Sequence, residues 1–552
     1  MEQVCTQCQA RFGHEPDDIS FCERMGVPAA TQCPDCRMQR RLCERNTRNL
    51  YYRKCDKTGK QIISQYHAEQ TFPVYGIDTW NGDGWDGLAY GRDVDFSRPF
   101  FRQYKELLDA VPHLALFNTP GTMENSDFNN CTAYLKNCYL LSESDYAEDC
   151  YYSNLLKKSK NVVDCSICYE GELCYECIDC SGCRGLQYSQ ECQNCSDSAC
   201  LRDCQSCRDC IGCINQRQKQ YMIWNKQYTK DEYETHKKSF RLDTASGVRK
   251  LLEQADAFFR MQPHRALHGE RSENAFGDHV DDSKNAYRCF DVKDGEDCRH
   301  CQRLSLGCKS CMDYNSWGDK AELVYQSSSC GDHAYNIRFC SNCINVQSCD
   351  YCFECTNSSD LFGCVGLKKK KHCIFNKQYS PEEYETLKAK LIAHMKTTGE
   401  WGEFFTMDLC PFAYNEAFVM DLFPLTKDEV SARGWRWYEP AEAAQTYMGA
   451  KAALPDAIAD ATDDVTKQIH LCERTGKAYK IIPQELKFHR DMRIPLPRLC
   501  PDQRHKDRQA RRNPYKLWER PCGSCKKTVW TSYAPERPEP IVCQECYLSL
   551  VY

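Results

Sequence analysis

Two sets of four cysteines, one near each end of the chain, have spacings that suit a tetrahedral metal ion. Cys5, Cys8, Cys33 and Cys36 make two CxxC knuckles near the start, and Cys522, Cys525, Cys543 and Cys546 make two near the end. Paired knuckles bring four thiolates around Zn2+. A small polar module with little core gains its folding free energy from such an ion. A redox-active CxxC is the other chemistry this spacing serves. It expects one low-pKa cysteine at a helix start behind a buried strand, and neither set is read in that context.

Two further sets are incomplete. Cys472 and Cys500 stand where ligands are expected, but Thr475 and Gln503 (in the stretch CPDQR) replace the second ligand of each knuckle. Cys55 is followed by Thr58 and by no later CxxC. All four sets belong to one repeat, because residues 5–75 align with 472–542 without a gap. Cys5 falls on Cys472, Cys33 on Cys500 and Cys55 on Cys522. Each end therefore reads as a zinc-ribbon module with one complete site, giving about two Zn2+ per chain.

Between the two sites of each module runs a basic stretch. Arg37, Arg41, Arg45 and Arg53 fall on Arg504, Arg508, Arg512 and Arg520. The first three lie at i, i+4 and i+8, so on a helix they form one stripe. Arginine forks with nearby Tyr51, Tyr52 or Trp518 suit phosphate contacts and base stacking. RNA or DNA is thus the expected partner; a protein partner, or packing onto the rest of the chain, are the other readings. Net charge is −6, so only this local charge points to nucleic acid. The chain opens MEQVCTQCQ without a leader-like pattern and has no apolar run that would span a bilayer, which predicts a cytoplasmic protein with no membrane partner. Most of its 43 cysteines are then expected to be reduced thiols or metal ligands.

The elements that must position these modules are two cysteine-rich arrays. Their ends match: CIGCINQRQKQYMIWNKQYTKDEYE (210–234) against LFGCVGLKKKKHCIFNKQYSPEEYE (361–385). In the first array, cysteines recur at 138, 150, 165, 177, 192 and 204, a 27-residue period of alternating shorter and longer steps. A fixed period predicts a solenoid. Turn-forming Asn, Asp, Ser and Gly predict short strands, so each array is read as a β-helix-like stack of about four coils. Array cysteines are expected to pack in ladders; zinc or iron–sulfur ligation is the alternative. Packing is favoured because Ala286, Asp313, Tyr325 and Ser328 replace ladder cysteines in the second array.

The expected fold is mainly β with short helices. It comprises an N-terminal zinc-ribbon module (1–80), a loop and linking helix (81–123), solenoid 1 (124–228), a helical connector (229–271), solenoid 2 (272–378), a helical or irregular cap (379–440), a linker (441–465) and a C-terminal zinc-ribbon module (466–552). TKDEYETHKKSF and SPEEYETLKAKLIAHM read as capped helices closing the stacks. The Lys368–Lys371 run reads as a solvated corner.

The segments FCERMGVP, CPDCRMQRR, RNTRNLYYRKCDKTGK and TGEWGEFF (398–405), with the NKQY array endings, resemble a family of cysteine-rich zinc-ribbon proteins from candidate-phyla bacteria with reduced genomes. The resemblance covers nearly the whole chain. It implies ribbon, array and second ribbon, and brings no activity with it. The family pattern has CPDCR in the second ribbon too, so this chain departs from it at Thr475 and Gln503.

No nucleophile–base pair, paired carboxylates or cofactor fingerprint is recognised. The expected function is a non-enzymatic zinc-binding scaffold that presents its arginine helices to a partner of unknown oligomeric context. Metal storage by the arrays is a second reading. An enzyme with a site between the halves, using residues such as His113, His279 or His333, is a third.

Overall fold

The structure is a computed structural model that describes residues 2–439 and 452–552. Much of the expected linker, 441–465, falls outside the described residues; its end holds the short 3-10 turns Ile458–Asp460 and Asp463–Thr466.

Both arrays are parallel β-solenoids. In the first, Asn130, Ser142, Asn154, Ser166, Ile178, Gln190, Arg202 and Ile214 pair in turn, each with the next. Every step is twelve residues, so the coil is twelve residues and eight coils lie in register. In the second, Asp278, Phe290, Gln302, Asn315, Ser328, Ser341, Phe353 and Val365 pair in the same way, with steps of twelve or thirteen. The 27-residue sequence period is therefore not the coil, and the stacks hold about twice the coils expected from it. A 15-residue step moves a cysteine along one coil plus one side, into the neighbouring column.

The backbone explains the coil. Every third residue of the first array sits in the left-handed region, as at Asp149, Tyr152, Leu155 and Lys158. This makes four corners per coil with a three-residue side between them. For a non-glycine residue the left-handed region costs roughly 1 kcal/mol or more, and Asn, Asp and Gly carry that cost best. Corner amides also bond along the stack, as in Asn125–Asn137–Asp149 at 3.2 Å per step. Of the three N–H groups in a side, one points up the stack (Tyr139 to the Cys150 carbonyl, 3.1 Å) and one down (Tyr152 to the Tyr139 carbonyl, 3.0 Å). The third belongs to the inward-facing residue and points into the lumen.

That lumen donor is why the arrays are rich in Cys and Ser. In one column the Cys165 N–H donates to Ser153 Oγ (2.9 Å), and the Cys177 N–H donates to Cys165 Sγ (3.3 Å). The same hydroxyl and thiol donate to carbonyls of their own coil, Tyr151 (2.9 Å) and Val163 (3.4 Å). A small side chain that both accepts and donates satisfies a buried backbone group that a purely apolar residue would leave unpaired. The cysteines form a packed lumen core with Leu135, Leu156, Val162 and Leu186 in the first array and Val324, Ile337 and Val346 in the second. Asp313 and Tyr325, expected in the ladders, instead belong to the outer flank: Asp313 occupies a left-handed corner, and Tyr325 joins the aromatic cluster outside the lumen.

The expected end helices are present. Thr229 and Ser380 cap Lys230–Ser239 and Pro381–Thr398 through capping boxes with Glu232 and Glu383. Tyr233 of the first helix packs on Tyr221 of the last coil, with ring centroids 5.6 Å apart. Lys368 is not solvated as expected: its ammonium donates to the Trp80 carbonyl (2.6 Å) and lies over the Trp80 and Trp85 rings, and Lys370 pairs with Asp86.

The chain divides into two compact units. Met1–Phe117 joins Leu267–Tyr438, and Asn118–Ala266 joins Glu439–Tyr552. The first ribbon is thus grouped with the second array, and the second ribbon with the first array. The chain leaves each unit at equivalent places, after PHLALF (112–117) and within PHRALH (263–268). His113 is in parallel register with Val74, and His264 with Ile541. Val74 and Ile541 are equivalent positions of the ribbon repeat.

Candidate metal centres and arginine clasps

Each ribbon carries two knuckles built the same way. At Cys5 the N–H donates to the Ala10 carbonyl (2.9 Å), and the Gln9 N–H donates back to the Cys5 carbonyl (3.0 Å). Cys55, Cys472 and Cys522 repeat that pair of bonds with Lys60 and Gly59, Lys477 and Gly476, and Lys527 and Lys526. The turn needs a left-handed residue, supplied by Gln9, Gly59, Gly476 and Lys526. The second half of each complete site is a helix start. Cys33 stands at the N-cap position of Pro34–Cys43 without a side-chain capping bond, and Cys543 caps Gln544–Val551 by accepting from the Cys546 N–H, helix starts not expected from the sequence there.

Four ligand atoms converge in each complete set. The thiols of Cys5, Cys8, Cys33 and Cys36 lie within 4.8 Å of one another, as do those of Cys522, Cys525, Cys543 and Cys546. A tetrahedral ion with metal–sulfur bonds of about 2.3 Å separates sulfurs by about 3.8 Å. Cys8 Sγ and Cys33 Sγ are 3.7 Å apart, and Cys525 Sγ and Cys543 Sγ 3.8 Å. The residues therefore fit a metal ion. Backbone donors favour the thiolate: the Cys33 N–H reaches Cys5 Sγ, and the Cys543 N–H reaches Cys522 Sγ, both at 3.3 Å. Burial pushes the Cys522 thiol up, but the N–H groups of Cys543, Cys525 and Ser524 outweigh it and bring it down to about 6. Among the described residues no array cysteine belongs to such a converging group.

The incomplete sets keep the turn without the ligands. Thr475 Oγ1 lies 3.9 Å from Cys500 Sγ, and Gln503 points away, its amide donating to Asp507 at 2.8 Å. At the other end Gly76 stands where Cys543 stands in the repeat, and Ile62 packs 3.2 Å from where a Cβ would be. Burial raises the Cys55 and Cys472 thiols, but hydrogen bonds from Thr58 and Thr475, with nearby N–H groups, bring both down to about 7.

The arginine stripe, expected to face a partner, is turned inward. Helix Pro34–Cys43 lies on the strands Cys308–Gly318 and Ala321–Ser328 of its unit. Arg37 Nε donates to Asp313 Oδ2 at 2.7 Å and Arg41 Nη1 to Asp313 Oδ1 at 3.1 Å, with the Arg41 and Asp313 side chains fully buried. Arg41 is also held by Asn315 (3.1 Å), and Arg45 donates to Ser329 Oγ (2.7 Å). The second ribbon repeats the clasp. Arg504 and Arg508 both bond Asp164, the latter at 2.7 Å, and Arg512 Nε pairs with Asp179 at 3.1 Å. Arg53 and Arg520 brace their own ribbons, donating to the His67 carbonyl (3.2 Å) and the Glu539 carbonyl (3.2 Å). The physical reason is pairing: each solenoid offers a buried corner carboxylate shared by two adjacent guanidinium groups, and in the second clasp Glu485 adds another carboxylate to Arg504 at 2.9 Å.

The histidines serve backbone and surface. His113 Nε2 bonds the Leu108 carbonyl at 2.9 Å, and burial pushes its imidazole down to about 4. His333 is exposed beside Asp332, and His279 is half-buried. The counterions Asp164 and Asp313 were not singled out by sequence as partners of the arginines. No offset legible in the sequence pairs them, because the thirteen-residue steps of the second array shift the register between its start and its end.

No family model matches the chain, and no curated protein matches it. Among solved structures, one described as a candidate acetyltransferase from Desulfovibrio desulfuricans G20 is similar at 9% identity and a TM-score of 0.12. It covers 41% of this chain and 62% of that one. Among the described residues no helix is long and apolar enough to cross a membrane.

Proposed function

We propose that the chain is a non-enzymatic, zinc-dependent scaffold of two ribbon–solenoid units, working in the reducing cytoplasm. The observation that carries this reading is the repeated clasp, with two ribbon arginines on one buried solenoid aspartate, in both copies. It makes the arginine helices the internal fastening of each unit, and leaves the outer coil faces and ribbon knuckles as the surfaces offered to a partner. Zinc is the favoured ion because four thiolates at tetrahedral spacing with no open position suit a structural site. The array thiols, hydrogen-bonded inside the lumen, do not support metal storage.

Nucleic acid recognition through the stripe requires the clasps to open. The test is filter binding of RNA and single-stranded DNA across a salt series, with Arg37, Arg41 and Arg45 changed together to Lys. The scaffold reading expects no affinity that depends on these residues. Affinity that weakens steeply with salt and falls with the triple change would replace it with the nucleic-acid reading.

A further inference from the structure

The unit formed by the first array and second ribbon has an open cavity of about 470 Å3 that nothing in the scaffold reading uses. Its lining includes the apolar side chains of Tyr188, Leu201, Leu252 and Phe259. The lining also carries Arg202, Arg511 and Arg537, together with the acids Asp256 and Glu539. Arg537 pairs with Glu539, Arg511 reaches Glu176 (3.4 Å), and Arg202 Nε lies 3.8 Å from Glu191 and its Nη2 donates to Tyr533 Oη (3.3 Å). Three guanidinium groups gathered beside apolar side chains suit an oxyanion attached to an apolar body, which would share them with these carboxylates.

The other unit shows what closing this space takes. Ala255 precedes His264 by the same interval at which Tyr104 precedes His113, in equivalent helices. Tyr104 is fully buried and stacks on Phe405 with centroids 5.1 Å apart, inside a continuous aromatic core. Phe353, beside His113, occupies the coil position that Arg202 holds in the first array, counting back from GCV and GCI. One unit is packed with aromatic rings where the other has alanine, arginine and open volume.

We propose that this cavity is a binding site for a small aromatic oxyanion, a phosphate or carboxylate on a flat apolar group, with the anion on Arg202 and Arg511 and the ring against Tyr188, Leu252 and Phe259. The site is independent of the zinc scaffold reading. Isothermal titration of the full metal-loaded chain with phenyl phosphate tests it, with inorganic phosphate and benzyl alcohol as the half-ligands. Binding of phenyl phosphate at least about tenfold tighter than either half-ligand is expected. Ala255→Tyr, which supplies the side chain of the packed unit, is expected to lower that affinity at least about tenfold with the thermal midpoint kept, and Arg202→Gln to lower it similarly. Benzoate in place of phenyl phosphate distinguishes the two oxyanion classes. No binding by the wild-type chain, equal binding of benzyl alcohol, or undiminished binding by both variants would overturn the proposal.

Discussion

Asp313 and Asp164 each hold two guanidinium groups away from water, and the arithmetic of burial sets what their loss does. Removing one partner of a buried ion cluster leaves the other charges uncompensated, at a cost of about 3 to 5 kcal/mol. Asp313→Ala is expected to destabilise the chain by that amount in denaturant melts, whereas Glu385→Ala, at an exposed acid of the helix Pro381–Thr398, changes stability by less than about 0.5 kcal/mol. A second residue-scale consequence concerns Glu354, whose carboxylate accepts the Leu114 N–H at 3.0 Å. Burial pushes this carboxyl up to about 8 from an ordinary 4.5. Between those two pH values the folded chain keeps a proton that the unfolded chain has released. Stability contributed by this group therefore falls as pH rises through that window and is level above it. Glu354→Gln keeps an acceptor for Leu114 and removes the titration. At pH 8 it is expected to be more stable than wild type by on the order of a few kcal/mol, with the difference vanishing near pH 4. Parallel stability curves for the two proteins would contradict this assignment.

At the scale of elements, the lumen columns and the ribbon turns make opposite demands on cysteine. In a column the thiol is a small hydrogen-bonding residue, and serine does the same work at Ser153. Cys165→Ser is expected to leave stability within about 1 kcal/mol, while Cys165→Ala orphans the Cys177 N–H and costs about 1 to 3 kcal/mol. Neither changes metal content. In a ribbon the thiolate is the ligand, so serine is no substitute there. Gln503→Cys alone is expected to add no metal because Thr475 is also missing, while Thr475→Cys with Gln503→Cys adds one equivalent. The ligand sets, the ribbon repeat and the capped helices were legible because each rests on local spacing. The coil was not. Cysteines stepping by 12 and 15 give a clean 27-residue period in the sequence, but hydrogen bonding responds to the constant twelve-residue register, and the left-handed corners that impose it fall on many residue types, among them Tyr, Leu, Lys and Glu. The direction of the arginine stripe was equally hidden, because a helix pattern says which residues share a face and not what lies across from it.

At the scale of the whole molecule, the duplication is distributed across the two units. Each contains one ribbon and the array from the other half of the sequence, and the crossings fall at the equivalent PHLALF and PHRALH segments. The copies have then diverged in complementary ways. One ribbon keeps its first metal set and the other its second; one unit packs Tyr104 and Phe353 where the other leaves a cavity beside Ala255 and Arg202. The central claim is that metal is confined to the two complete ribbon sets and that the remaining cysteines build the coils. Elemental analysis of the purified full-length chain tests it most directly. Two zinc ions per chain are expected, falling to one with Cys33→Ser and Cys36→Ser together and to none when Cys543→Ser and Cys546→Ser are added. Metal retained by that fourfold variant, or well over two ions bound by the wild-type chain, would contradict the account.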